Sequence, residues 1–134
     1  MVNIKPIPQD LLIVGLSGFV GSIARYCVYL WVGNRNFVSF PWATLFVNIL
    51  GCLLIGVIGT LIEQSVPYHR QLLLVGTIGF LGAFTTFSAF GFETLNLLRN
   101  QQMAVALVNV AANVTLGISA VWLGRSLVLL VFAK

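Results

Sequence analysis

The chain has 134 residues, of which 59% are apolar and only 7% are charged, whereas soluble domains are roughly half apolar and a quarter charged. This composition excludes an ordinary soluble domain. Seven Lys and Arg residues against three Asp and Glu give a net charge of +4, but these cations are too few and too scattered to follow a nucleic-acid backbone. A membrane span needs about 20 residues, so the length fits one all-α membrane domain of four spans.

Long apolar runs between short polar clusters predict the four helices. The first run begins after Asp10 and contains one charge, Arg25. Pro41 is a favourable first-turn residue for the second helix, and Glu93 closes the third uncharged run. An apolar helix in a soluble core would be shorter and amphipathic. We therefore predict spans over residues 11–32, 41–62, 71–98 (with a break near 82–86) and 103–124.

The first run also has one feature of a cleavable signal peptide, because Ser22 and Ala24 form a small-x-small pattern. The preceding segment, however, carries only Lys5 and Asp10 as charges. Cleavage would also leave three spans with Arg25 at the new terminus. We therefore favour an uncleaved first span.

An even number of spans puts both termini on the same side of the membrane. The cations on that side are Lys5, Arg70, Arg125 and Lys134, and those on the other side are Arg35 and Arg99. Because this bias is weak, the positive-inside rule barely selects an orientation. The chain either keeps its termini in the cytoplasm or inserts in both directions, and in the second case it can pair with an inverted copy. Four helices alone hardly enclose a solvated pathway, so a transport function would require an oligomer.

Polar side chains inside a span are costly unless they face protein or water. Asn48 shares a helical stripe with Cys52 and Gly56, while Asn109 and Asn113 are four residues apart in the fourth span. Each asparagine can either join two helices or contact a transported substrate. The sequence leaves both interpretations open.

Arg25 lies inside the first span, seven residues before the end at Val32. Its long side chain can extend to the membrane interface. Alternatively, it can line a vestibule, where a fixed positive charge would concentrate anions. The sequence does not decide between these positions.

The third span carries the densest pattern, with glycines at Gly76, Gly79 and Gly82 followed by Thr85 and Thr86. Glycine adds backbone freedom and threonine is β-branched, so both weaken a helix. A broken helix at membrane depth is tolerated where it lines a cavity, and its carbonyls can then bind a cation while its N–H groups suit an anion. The alternative is a continuous glycine-rich packing helix.

Phe87 and Phe90 are three residues apart and share a face if the chain is again helical there. Aromatic stripes usually pack, but the edge of a Phe ring is its positive part and can contact an anion without holding it tightly. Conduction needs such weak binding at several sites. Thr86, Ser88 and Asn48 could donate hydrogen bonds in place of lost water.

Three segments together resemble the Fluc/CrcB family of fluoride channels. They are residues 18–26 (GFVGSIARY), 42–51 (WATLFVNILG) and 79–90 (GFLGAFTTFSAF). The pattern Gly-x-x-Thr-Thr-Phe-Ser-x-Phe in the last segment is highly specific, and the resemblance runs through all four spans in matching order.

The resemblance implies an antiparallel, dual-topology homodimer of four-helix subunits in the cell (inner or plasma) membrane, which passes fluoride passively and prevents its accumulation. It also implies that the third helix is broken and that backbone carbonyls there hold a central Na⁺ between the subunits. By motif position, the carbonyls would belong to Gly82 and Thr85, the paired rings to Phe87 and Phe90, the pore amide to Asn48 and the first-helix arginine to Arg25.

The chain departs from the family pattern at two places. Ala89 stands where many members have a threonine, which removes one hydroxyl beside the two phenylalanines. Asn109 and Asn113 stand where some members place Tyr and Ser, so their assignment to the anion path is the least supported. Neither change touches the predicted break or the Phe pair, and we expect conduction to survive.

The main alternative is a small multidrug-type proton-coupled exporter, which also has four spans. Its chemistry needs a carboxylate at membrane depth, but Asp10, Glu63 and Glu93 fall at predicted span ends. A scaffold subunit would explain the glycines but not the Thr-Thr-Phe-Ser-x-Phe pattern. An enzyme is the least favoured class, because the single histidine, His69, has no nucleophile, carboxylate pair or metal cluster near it in sequence.

Overall fold

The computed structural model describes residues 8–33, 40–64 and 69–132. Lys5, Arg35 and Lys134, on which the orientation argument partly depends, lie outside the described residues. Within those ranges every regular element is a helix. In chain order the elements are α1 (Pro8–Gly33), α2 (Trp42–Glu63), α3 (His69–Gln71), a π-helix (Leu72–Leu81), α4 (Gly82–Phe84), α5 (Phe87–Arg99) and α6 (Met103–Phe132).

The prediction of four membrane spans is confirmed. Four helical segments of the described chain are long and apolar enough to cross a membrane, namely Gln9–Gly33, Trp42–Glu63, Leu72–Arg99 and Met103–Phe132. The last helix continues well past residue 124, where the sequence pattern placed its end. Arg125 is the only charge in this extension, and the apolar residues after it include no helix breaker.

The third span is built from several backbone conformations. Its first part is π-helical over Leu72–Leu81 and is followed by the short helix α4. Thr85 (φ −84°, ψ 161°) and Thr86 (φ −153°, ψ 112°) are extended, and α5 begins at the next residue. β-Branched residues favour extended backbone. In the described structure, the two extended residues Thr85 and Thr86 separate α4 from α5 and are called the interruption.

Glycines allow the helices to approach closely. A methyl group at Gly56 would collide with the carbonyl oxygen of Val121, and one at Gly124 with that of Leu53, so α2 and α6 touch through their backbones. Small residues at such crossings are typical of membrane helix pairs. α1 packs on the π-helix and α4 in the same way. The core between them is formed by Val47, Leu81 and Phe84.

Two ion pairs join helix ends on the side of the membrane where the chain termini lie. Arg70, at the start of the third span, lies 2.5 Å from the carboxylate of Asp10 on α1. Arg125 on α6 lies 2.5 Å from the carboxylate of Glu63 at the end of α2. Arg70 and Arg125, two of the cations on the side of the termini, are therefore each paired with a carboxylate of another helix.

The contact at Gly56 predicts a difference between two alanine substitutions on the same helix. Gly56→Ala would push against the backbone of Val121 and should cost about 1–3 kcal/mol. Gly59→Ala is the matched control, because nothing lies within 4 Å of a methyl group there, and it should stabilise the helix by roughly 0.5–1 kcal/mol. Thermal unfolding of both purified variants in detergent measures the difference. Equal midpoints would contradict the close α2–α6 contact.

Candidate functional site

The side chain of Asn48 stabilises the interruption by bonding to the backbone of Thr86. The peptide N–H of Thr86 donates to Oδ1 of Asn48 at 3.0 Å, and Nδ2 of Asn48 donates to the carbonyl oxygen of Thr86 at 3.3 Å. Both backbone polar groups of Thr86 thus find a partner on α2. This matters because backbone groups at membrane depth have no water to bond to.

The same hydrogen bonds release two carbonyl groups. In a continuous α-helix the N–H of Thr86 would bond to the carbonyl of Gly82, and that of Ala89 to the carbonyl of Thr85. Here the N–H of Thr86 donates to Asn48 and the N–H of Ala89 donates to Oγ1 of Thr86, at 3.1 Å. The two carbonyls that the resemblance assigns to a cation therefore lose their usual helical partners.

Asn48 is held in turn by two asparagines of α6. Its Nδ2 donates to Oδ1 of Asn113 at 3.0 Å, and Nδ2 of Asn113 donates to Oδ1 and to the carbonyl of Asn109, both at 3.0 Å. Asn109 is fully buried and donates to the hydroxyl of Thr94 at 2.9 Å. Thr94 donates to the carbonyl of Phe90 at 2.7 Å. A series of hydrogen-bonded side chains, Asn48, Asn113, Asn109 and Thr94, therefore connects the interruption to α6 and then to α5. We call this series the amide chain.

A cavity of about 410 Å³ lies beside the interruption. The rings of Phe87 and Phe90 line it with their centroids 5.5 Å apart and their planes at 49°. Phe87 is 84% exposed, so little of this ring is covered by its own subunit. The other lining residues are Asn48, Gly51, Cys52, Ile55, Thr77, Leu81, Gly82, Thr85, Thr86, Asn113 and Val114.

The structure brings most of the predicted site residues together. Asn48, Phe87 and Phe90, together with Thr86, Asn113 and the two residues assigned to the cation, line one cavity. Ser88 is exposed and lies next to it, with its hydroxyl 3.1 Å from that of Thr86. Arg25 and Asn109 do not line the cavity as the described residues form it. Arg25 is half-buried on α1, and Asn109 bonds only side chains and backbone of this network.

Sequence reasoning missed a second polar cluster. Glu93, which closes the uncharged run of the third span, lies inside that span, because α5 continues to Arg99 as the predicted bounds required. Thr44 donates to Oε1 of Glu93 at 2.7 Å, so the hydroxyl of Tyr29, 2.6 Å from that of Thr44, donates to Thr44. The only available signal was the position of Thr44 one helical turn before Asn48.

Two buried side-chain atoms have no hydrogen-bond partner in the described part of the chain. One is Oε2 of Glu93 and the other is Oγ1 of Thr77, which lines the cavity. Buried polar atoms are rarely left unpaired. Each is therefore an open hydrogen-bonding position in the described part of the chain.

All residues of this site lie within the part of the chain that is similar to known proteins. Residues 12–125 match the family described as CrcB-like protein, Camphor Resistance (CrcB). The fluoride-specific ion channel FluC 1 of Methanosarcina acetivorans is 39% identical over 115 residues, which is 86% of this chain and 87% of that protein. FluC of Acidobacterium capsulatum is 40% identical over 111 residues (83% and 89%), and FluC of Magnetococcus marinus is 41% identical over 115 residues (83% and 90%).

The amide chain predicts that Asn113 stabilises the fold. Asn113→Leu leaves one amide hydrogen of Asn48 without its acceptor in an apolar environment, which should cost about 1–3 kcal/mol. Thr115→Val on the same helix is the control, because Thr115 is exposed and bonds only to the carbonyl of Ala111. Thermal unfolding in detergent should show a lower midpoint for Asn113→Leu alone. If Asn113→Leu and Thr115→Val have the same unfolding midpoint, the hydrogen bonds of Asn113 do not stabilise the fold.

Proposed function

Since the chain belongs to the CrcB-like family, we propose that it is a fluoride-selective ion channel, which lets fluoride leave the cell passively and so protects it from fluoride toxicity. It is a multi-pass membrane protein, and the family identified from the third-span motif is confirmed. The observation that carries the proposal is the convergence of Phe87, Phe90 and the interrupted backbone on one cavity.

Fluoride passes this cavity along neutral groups. The edges of Phe87 and Phe90 present partial positive charge, and the absence of a formal cation among the lining residues keeps binding weak enough for release. Arg25 contributes only long-range positive potential, because it lies outside the lining. The fluoride pathway thus combines ring edges with the hydrogen-bond donors Thr86 and Ser88.

Asn48 has a more restricted part in this pathway than a free amide would have. Both hydrogens of its Nδ2 are engaged, one with Asn113 and one with the carbonyl of Thr86. The second bond is the longer, at 3.3 Å. A fluoride ion that accepts a hydrogen bond from Asn48 therefore replaces the carbonyl of Thr86 as the acceptor. Asn113 lines the cavity but its Nδ2 donates to Asn109, and Asn109, outside the lining, acts on the ion only through Asn113 and Asn48.

The working channel is an antiparallel homodimer whose subunits insert in both orientations. The exposed Phe87 ring and the adjacent cavity wall would otherwise face lipid. The ring edges and hydroxyls there suit a second protein surface better than hydrocarbon does. The weak charge bias across the membrane is compatible with insertion in both directions.

The freed carbonyls of Gly82 and Thr85 bind a Na⁺ ion between the two subunits. Carbonyl oxygens are suitable ligands for a hard cation, and both residues line the cavity next to the exposed Phe87. One subunit supplies too few oxygens for a complete shell, and the inverted copy supplies the rest. The cation is structural and tethers the two interruptions.

A proton-coupled exporter gains no support from Glu93. That carboxylate lies inside the span, but one oxygen accepts from Thr44 and the residue does not line the cavity. A substrate in the cavity would therefore not reach it.

Fluoride efflux from liposomes tests the proposed function. The reconstituted wild-type protein should release fluoride but not chloride, as followed with ion-selective electrodes. Phe87→Ile and Phe90→Ile should each abolish or sharply reduce fluoride efflux, because isoleucine has no ring edge with partial positive charge to contact the anion.

Phe92→Ile is the matched control, because Phe92 is 66% exposed on the same helix and lies outside the cavity lining. No fluoride efflux from the wild type would refute the proposed function. If Phe87→Ile and Phe90→Ile release fluoride as fast as Phe92→Ile does, only the role of the ring edges is refuted.

Ion replacement in crystals tests the cation. Crystals grown with Tl⁺ in place of Na⁺ should show an anomalous peak at the carbonyls of Gly82 and Thr85, on the axis that relates the subunits. A map with peaks elsewhere but none at these carbonyls would exclude the site.

A further inference from the structure

Six hydroxyl groups inside the described spans share one arrangement. Each of the six donates to the carbonyl oxygen four residues earlier in the chain, which satisfies the donor without help from another segment. The residues that do so are Ser17, Thr60, Thr85, Thr94, Thr115 and Ser126, at 2.7 to 3.0 Å.

Thr77 is an exception to this arrangement. Its Oγ1 is buried and has no partner among the described residues. Thr77 lies within the π-helix Leu72–Leu81. Bonds in a π-helix run to the carbonyl five residues earlier, and the carbonyl of Thr77 is among the acceptors near the N–H of Gly82. Thr77 therefore lies in a stretch whose backbone pairing differs from that of a regular α-helix.

Thr77 lines the same cavity as the Phe pair, but at a different depth. It precedes Thr85 by two helical turns along the span, which is roughly 10 Å of rise. The hydroxyl is thus too far from the interruption to contact an ion held there. It stands at a second position, nearer to the end of the third span that begins at residue 72.

We infer that Thr77 turns its hydroxyl, which protein atoms cover in this structure, toward the cavity and donates it to fluoride at this second position, on the way between the Arg70 end of the span and the Phe pair. The inference rests on the proposed function and extends it by one binding residue. A neutral hydroxyl supplies one hydrogen bond to an anion. Together with the ring edges it gives the cavity two weak sites in sequence, which conduction requires.

The test compares three variants in the liposome efflux assay over a range of fluoride concentrations. Thr77→Val keeps the shape of the side chain and removes the hydroxyl, whereas Thr77→Ser keeps the hydroxyl. Thr115→Val removes a hydroxyl that is exposed and bonded to its own helix. We expect Thr77→Val to lower efflux at subsaturating fluoride roughly threefold to tenfold, the loss of one hydrogen bond. Thr77→Ser should retain more efflux than Thr77→Val, because it keeps the hydroxyl, and Thr115→Val should match the wild type.

Thermal unfolding separates a binding role from a structural one. Because nothing in the described subunit pairs with the hydroxyl, Thr77→Val should unfold no earlier than the wild type. A lower midpoint would show that the hydroxyl bonds within the folded protein and would overturn the inference. Wild-type efflux in Thr77→Val, with a conducting wild type, would also overturn it. A wild type that releases no fluoride would remove the proposed function itself.

Discussion

The bonds between Asn48 and the backbone of Thr86 are the constraint on which the rest of the site depends. An interrupted helix in a membrane is stable only if its backbone groups find partners within the protein, and each unpaired group would cost several kcal/mol. Asn48 supplies both partners. Because it does so, the backbone at Thr85 and Thr86 remains extended, the carbonyls of Gly82 and Thr85 lose their helical donors, and α5 restarts with Phe87 and Phe90 beside the cavity.

The features that could be predicted from the sequence depend on local pattern. The length and apolarity of the spans require no knowledge of neighbours, and the four-span prediction is confirmed. The segment 79–90 also identified the family, because its spacing of Gly, Thr and Phe is rare. The glycines and the two β-branched threonines predicted a break near Thr85 and Thr86, and the three-residue spacing of Phe87 and Phe90 predicted that the two rings share a face.

The features that could not be predicted depend on partners distant in sequence. Asn48 bonds to Thr86 and Asn113, which are 38 and 65 residues away, so a stripe on one helix could not reveal whether the amide joins helices or faces an ion. The sequence did not reveal that the carboxylate of Glu93 accepts a hydrogen bond from Thr44, which is 49 residues away. Neither the π-helix nor the unpaired Thr77 hydroxyl can be recognised from composition or periodicity.

The amide chain also has a direction. From Thr86 through Asn48, Asn113, Asn109 and Thr94 to the carbonyl of Phe90, every member accepts from the one before and donates to the one after. Their dipoles consequently add, and each bond polarises the next. Rotating any one of the three amides by half a turn would set oxygen against oxygen on one flank and hydrogen against hydrogen on the other. Within the described chain this line of hydrogen bonds is therefore polarised in a single direction, from the peptide of Thr86 to the carbonyl of Phe90.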